Sequence, residues 1–444
     1  MRRRDLLLGL GATAPVRPQS PPTAFIGHDA ARLKRVLVHP PGDETRKGLG
    51  LSYGPIRFLG GGVNVRAAEE HAAMASLLRA GGVEVLTVTQ VLDEALAAAR
   101  AAGALDTWLR GWAPQLIPAA GKLTGAALVG AADEFIYRSD PEGNFAPLTD
   151  PAGSFYWTRD SAVMTPRGVA ICRFSNDART PEAILVRFAY EWAPSLRRYP
   201  IVFDASEEQV SMEGGDIMVA SPGMLWMGVG NRSQEAAARR LALRLNMDVL
   251  AVSLPPAEIR SPINALFLHL DTVCALAGEK TVLTLPWFFE QRYAGGDPLS
   301  RMLRGLARNP KASAADLEKM ASSLKDIGRV KLFKAGTGQP GALPGDLKLV
   351  DWLRANGYST VFVGGPPPAS GAEKHAAEVV LPELRRQASN IVAVSPGKVI
   401  AYGGNTRTQR ALVDAGVEVL TFEGHEIMRN NGGPHCLTQP LERS

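Results

Sequence analysis

The chain has 444 residues, of which 45% are hydrophobic and 21% charged, enough apolar side chain for one large core or two to three ordinary ones. Its net charge is only +5, and with no dense Lys/Arg block beyond the N-terminus the composition gives a nucleic-acid role little support. No apolar run reaches the roughly 18 residues a membrane helix needs, and three cysteines (Cys172, Cys274 and Cys436) match neither a zinc or CxxC spacing nor a full disulfide framework.

The N-terminus has a charged stretch, Arg2-Arg3-Arg4, a short apolar stretch, Leu6-Leu7-Leu8, and small residues at Ala12-Thr13-Ala14. Paired arginines before a modest apolar run resemble a twin-arginine export signal. A disordered tail is the alternative, so a periplasmic and a cytoplasmic location both stay open. Residues 1–24 are set apart from the fold in either case.

From there, β-branched apolar runs mark strands in chain order. They fall at Arg35–His39, Val83–Thr89, Ala162–Thr165, Val169–Phe174, Ile201–Asp204, Ile217–Ala220, Met224–Val229, Val249–Leu254, Thr281–Leu285, Thr360–Val363, Ile391–Val394 and Val399–Tyr402. Four stretches share a plan of strand, Asn/Arg loop, helix and strand. Asn64-Val65-Arg66 precedes a helix over Ala67–Arg79. Asn176-Asp177-Ala178-Arg179 precedes a helix from about Pro181. Asn231-Arg232-Ser233-Gln234 precedes Glu235–Leu245, and Asn405-Thr406-Arg407-Thr408 precedes a helix through Ala415, followed by Val417–Phe422. A fainter fifth copy has a helix over Val350–Asn356 and a strand over Ser359–Val363. A hairpin–helix–strand unit used about five times around a closed ring would converge its loops on one axis, where a site belongs. Two segments break the plan: an Ala/Leu-rich helical insert at about 90–137, and a second insert at about 297–345 whose clear helix is Ala314–Leu324.

Four short motifs carry chemistry. Trp157-Thr158-Arg159-Asp160 offers an aromatic wall and a carboxylate. Met212-Glu213-Gly214-Gly215-Asp216 places two carboxylates around a bend that the glycines allow. His269-Leu270-Asp271, read as a strand, puts an imidazole and a carboxylate on one face. Gly432-Gly433-Pro434-His435-Cys436 brings a thiol to a loop that can approach a ligand closely. Each alone also fits an ordinary role: an ion pair, a solvated turn, a core histidine, a buried thiol. Together they supply what a guanidinium demands. That cation is planar, always charged and forked, so carboxylates are its natural partners. Its carbon is a poor electrophile, so a soft sulfur nucleophile and a proton donor for departing ammonia complete the set.

The ordered motifs resemble the guanidino-group-modifying superfamily, and the arginine deiminase family most closely. The resemblance implies a five-bladed pseudo-symmetric α/β propeller of repeated ββαβ units carrying an inserted helical subdomain, with residues 25–444 as one catalytic domain. It implies Cys436 as the nucleophile forming an amidino-thioether, His269 as general acid/base, Glu213 as its orienting acid, and Asp160 and Asp271 as the guanidinium clamp. Asp216 would lie toward the other end of the substrate, Arg179 and Arg232 would bind its carboxylate, and Trp157 would line the site. Ser154 and Trp157 depart from the Asn and Phe usual before the Thr-Arg-Asp motif, and Asn430 and Asn431 stand where a closer arginine is common, with Arg429 beyond them.

The expected reaction is hydrolysis of L-arginine to L-citrulline and ammonia, with water as acceptor and no metal or organic cofactor. Its alternatives are an amidinotransferase or a methylarginine hydrolase of the same superfamily, and, in a different class, an arginine-binding protein without turnover. The expected partner is a small guanidino substrate, with no nucleic acid and no membrane; a homo-oligomer remains open.

Overall fold

The repeated plan becomes five small sheets in the computed structural model, which describes residues 25–45, 63–130, 137–139, 145–147, 151–255, 266–287, 289–293, 296–306 and 324–444. Each sheet contains an antiparallel pair, a hairpin in all but the first, in which one strand runs parallel to a strand reached through a helix. The first joins the two ends of the chain: Gln439–Arg443 pairs with Leu33–Val38, which lies parallel to Glu84–Thr87 beyond the helix Val63–Ala80. In the second, Ala162–Thr165 and Gly168–Ile171 precede the helix Thr180–Trp192 and the parallel strand Ile201–Asp204. The third uses Ile217–Ser221, Met224–Val229, the helix Glu235–Leu245 and Asp248–Ser253, and adds Val330–Phe333 at its edge. The fourth has Cys274–Leu276, Thr281–Thr284, the helix Leu349–Ala355 and Ser359–Phe362. The fifth has Val392–Ser395, Lys398–Tyr402, the helix Thr406–Asp414 and Glu418–Phe422. The architecture is mixed α/β, a set of small sheets with no closed barrel among the described residues.

Local chemistry explains these elements. In the helix Glu235–Leu245, Ala237, Ala238, Leu241, Ala242 and Leu245 recur at three- and four-residue steps and are buried, while Asn246 ends it in the left-handed region at φ 49°. The Ala/Leu-rich segment forms the helices Val88–Ala101 and Leu105–Trp112, with Thr87 capping the first by accepting from the Gln90 amide. Its apolar face joins the core of the second sheet's helix, where Trp108 stacks on Phe188 at 3.9 Å between ring centroids. Leu96, fully buried in that helical layer, tests the packing. Leu96→Ala is expected to cost about 2–5 kcal/mol of unfolding free energy, read as a lower denaturant midpoint at unchanged slope.

Two expectations lie outside the described residues: the signal-like segment 1–24, and the helix Ala314–Leu324, of which only Leu324 is described. One local expectation is corrected. His269-Leu270-Asp271 is no strand; Leu270–Thr272 forms a 3₁₀ turn with an extended His269 before it (φ −137°, ψ 169°).

Candidate active site

The five sheets share a positional rule. Each bears a short irregular segment just before the first strand of its antiparallel pair, and every motif singled out in the sequence sits there. Thr158–Asp160 precedes Ala162, Gly214–Asp216 precedes Ile217, Leu270–Thr272 precedes Cys274, and Cys436 precedes Gln439. The fifth sheet contributes Asn390, two residues before Val392. These segments touch in sequence around a circuit. The Arg159 carbonyl oxygen lies where a Cβ on Gly214 would come within 1.9 Å. Asp216 accepts from the Leu270 amide at 2.9 Å, Asn390 donates to the Asp271 carbonyl at 3.1 Å and accepts from the Cys436 amide at 3.2 Å, and the Arg159 amide closes the circuit on the Cys436 carbonyl at 3.1 Å.

Inside that circuit Asp160, Glu213, Asp216, His269 and Asp271 are all buried. His269 places Nε2 2.9 Å from Glu213 Oε2 and Nδ1 3.7 Å from Asp160 Oδ1. Gly215 permits the approach, because a Cβ there would meet His269 Nδ1 at 2.7 Å. Burial alone would lower the His269 pKa, but Asp160, Glu213 and Asp216 raise it from 6.5 to about 10, so it is an imidazolium at neutral pH. Its charge therefore stabilises the fold fully below about pH 6.5, and that contribution is lost as pH rises toward about 10. Burial would raise Glu213, yet the His269 hydrogen bond and the guanidinium of Arg232, 3.6 Å away, hold it well below the usual carboxylate range. Glu213 also accepts from the backbone amide and hydroxyl of Ser175, both at 3.0 Å. Asp216, bonded to the Ser233 hydroxyl at 2.6 Å, is pushed up by burial to about 7.

Cys436 lies against Asp271 and Asn390. Its Sγ is 3.3 Å from Asp271 Oδ2 and 3.1 Å from Asn390 Nδ2. Burial, then the charges of Asp271 and Asp160, push the thiol well above its ordinary value. Asp271 Oδ2 also meets His435 Nδ1 at 2.9 Å; burial would raise Asp271, but His435 lowers it. Asp160 Oδ2 accepts from Arg179 Nη1 at 2.8 Å. The remaining oxygens, Asp160 Oδ1 and Asp271 Oδ1, are buried and have no hydrogen-bond partner among the described residues.

The other expected residues divide. Arg179 is buried and commits its donors to Glu182, Asp160 and the Ser154 carbonyl. Arg232 is partly open, with a buried Nε that has no hydrogen-bond partner among the described residues. The Trp157 ring packs where a Cβ on Gly432 would lie 2.4 Å from it, which places it beside the nucleophile loop. Arg159 does not face its neighbour Asp160; Nη1 lies 4.0 Å from Asp29. Arg429 is exposed and pairs with Glu426 at 2.9 Å. Sequence reasoning missed Asn390, although its place before the fifth hairpin matches that of the other site residues.

Among the described residues, one group has ligand-type atoms converging as a metal site would, within 4.8 Å of one another: Asp160, Glu213 and His269. With Nε2 on Glu213 and Nδ1 toward Asp160, His269 is also arranged for proton transfer. If Glu213 sustains the imidazolium charge, Glu213→Gln should lower the His269 pKa. The alkaline limb of the kcat/KM–pH profile is then expected to move to lower pH; an unmoved limb would contradict the pairing.

A family model described as Arginine deiminase matches residues 133–301 and 347–443. The arginine deiminase of Rhodococcus opacus is 29% identical over 442 residues, spanning 94% of this chain and 96% of that one. The arginine deiminase of Mycobacterium avium is 29% identical over 444 residues, covering 94% and 97% of the two chains. Among solved structures, unliganded AgrE aligns with a TM-score of 0.50 at 15% identity, over 93% of this chain and 40% of that longer one, a likeness of fold alone. With the family model spanning more than half of its length, the chain belongs to the arginine deiminase family, hydrolases acting on the C–N bonds of amidines.

Proposed function

We propose that the enzyme hydrolyses the guanidinium of L-arginine to L-citrulline and ammonia through a covalent amidino-thioether on Cys436. The observation that carries this reading is the pair of buried oxygens, Asp160 Oδ1 and Asp271 Oδ1, that have no hydrogen-bond partner among the described residues, in a site that also holds the Cys436 sulfur. Buried carboxylate oxygens without donors are costly, and a planar forked cation satisfies both at once. The same cation supplies the positive charge the thiol lacks, so substrate binding favours loss of the Sγ proton to solvent.

The chemistry then balances. The Cys436 thiolate adds to the guanidinium carbon, giving a tetrahedral adduct. His269 transfers its proton to one nitrogen, which leaves as ammonia, and the S–C bond remains in a cationic thiouronium. Neutral His269 next removes a proton from water, whose oxygen adds to the same carbon. Collapse expels the Cys436 thiolate, leaving the carbonyl of citrulline after a proton is lost. Glu213 holds the imidazole in line, and Arg179 holds Asp160. Arg232, whose buried Nε has no hydrogen-bond partner among the described residues, is the better placed of the two arginines to reach a substrate carboxylate, with Asp216 toward that end and Trp157 as the apolar wall.

The circuit of contacts among the five sheets supports closure of the five units into a five-bladed propeller, with residues 25–444 as one catalytic domain interrupted by inserts at about 90–137 and 297–345. Incubation of the purified protein with L-arginine tests the reading: citrulline and ammonia in equal amounts support it, and formation of neither overturns it.

A further inference from the structure

The fifth sheet's residue on the circuit has no part in the reaction as written above, yet it makes more contacts with the nucleophile loop than any carboxylate does. Asn390 is fully buried. Its Oδ1 accepts from the backbone amides of His435 at 3.0 Å and Cys436 at 3.2 Å. Its Nδ2 donates to the Asp271 carbonyl at 3.1 Å and faces Cys436 Sγ at 3.1 Å. The amide has one possible orientation. Backbone N–H groups only donate and a carbonyl only accepts, so Oδ1 must face residues 435 and 436 and Nδ2 must face Asp271 and the sulfur. The loop is pressed onto this side chain: a Cβ on Gly433 would come within 2.6 Å of Asn390 Cβ.

We propose that Asn390 is the positioning residue for the nucleophile: its carbonyl oxygen fixes the Cys436 backbone and its N–H stabilises the thiolate on Sγ. The proposal rests on the reading of Cys436 as nucleophile. Its physical basis is the sulfur's surroundings. Burial, Asp271 and Asp160 all oppose a negative charge there, and neither residue 435 nor Arg429 supplies a cation. Burial and Arg159 lower the pKa of His435, so it stays neutral near pH 7, while Arg429 pairs with Glu426 at the surface. The donors that face the sulfur are neutral amides: the Gly433 backbone N–H, which acts against the upward shift, and the Asn390 side-chain N–H, the one side-chain donor among the described residues. Because Nδ2 also holds the Asp271 carbonyl, the same side chain sets the distance between sulfur and clamp.

Two variants separate fixing the loop from stabilising the charge. Asn390→Asp keeps an acceptor for both backbone amides but cannot donate to sulfur when ionised. Asn390→Ala removes both functions. Each is examined in the full-length protein for thermal midpoint, steady-state kinetics, and alkylation of the Cys436 peptide by iodoacetamide across pH. The expected result is a fall in kcat of about ten- to a hundredfold in Asn390→Asp, with a smaller change in KM. Alkylation at a fixed pH below the thiol pKa should slow about tenfold, as for a thiol pKa raised by about one unit. Asn390→Ala should show slower alkylation too, although the smaller side chain opens access to the sulfur. Native turnover and a native alkylation profile in Asn390→Asp would overturn the proposal and leave a role in loop geometry alone. If Asn390→Ala does not fold, the isosteric Asn390→Asp decides. Full turnover by Cys436→Ser would instead end the nucleophile reading itself, an outcome distinct from either result at Asn390.

Discussion

Cys436→Ser is expected to lower kcat for citrulline formation by at least about 10⁴-fold while leaving the fold and substrate affinity largely intact. The substitution replaces sulfur by oxygen in the same buried loop, so the bonds that the backbone amides of residues 435 and 436 donate to Asn390 Oδ1 persist. A hydroxyl, however, is a far weaker acid than a thiol. The side chain facing it is Asp271, already lowered by its bond to His435 and therefore a poor base. His269 is an imidazolium held by Glu213, arranged to give a proton and not to take one in the first step. A bound cation can shift a thiol toward thiolate; it cannot do the same for an alcohol. Substrate protection against heat denaturation should survive in this variant, which separates loss of chemistry from loss of binding.

The second large effect concerns the clamp. Asp160→Asn and Asp271→Asn are each expected to lower kcat/KM by about a hundredfold or more, several kcal/mol of transition-state stabilisation. Each alters a carboxylate with a buried oxygen that has no hydrogen-bond partner among the described residues. The two variants should differ in stability. Asp160 is an acceptor for the buried Arg179, so Asp160→Asn weakens a charge pair in the interior and should lower the thermal midpoint. Glu182 still grips that guanidinium at 2.7 Å and limits the damage. Asp271 meets two neutral groups, His435 and the Cys436 thiol, so its loss should act mainly on turnover. Kinetics measured well below each variant's melting temperature separate the effects. Native turnover by both variants would remove the clamp from the account.

Much of this was legible in the chain because the repeat has strong local signals. β-Branched runs mark the central strands, and the Asn-rich loops mark helix starts. Val330–Phe333, inside the segment expected as the second insert, was also missed as a strand, and weak signals account for two others. Cys274–Leu276 has three residues, and Gln439–Arg443 contains Pro440 and Glu442 and no β-branched residue; its pairing with Leu33–Val38 joins opposite ends of the chain. No periodicity reports a contact of that range. His269 and Asp271 converge through a 3₁₀ turn because Asp216 and the Asn390 side chain hold backbone groups of that segment, a tertiary effect that overrides the two-residue alternation of a strand. Arg179 followed the spacing expected of a substrate-binding arginine, but spacing cannot reveal that Glu182, three residues on, takes its Nε and Nη2 in three bonds. Asn390 stands just before the run Ile391–Val394 that reads as a strand, and no motif marks it. Its significance emerges only when the five sheets are compared position by position.

Acid quenching of the enzyme during turnover of L-arginine, followed by mass measurement of the peptide containing Cys436, tests the covalent step most directly. The account predicts a fraction of that peptide heavier by the mass of the substrate less ammonia, with the added mass on Cys436 and absent from Cys436→Ser. Citrulline production with Cys436 unmodified throughout, or with the adduct on another residue, would contradict it.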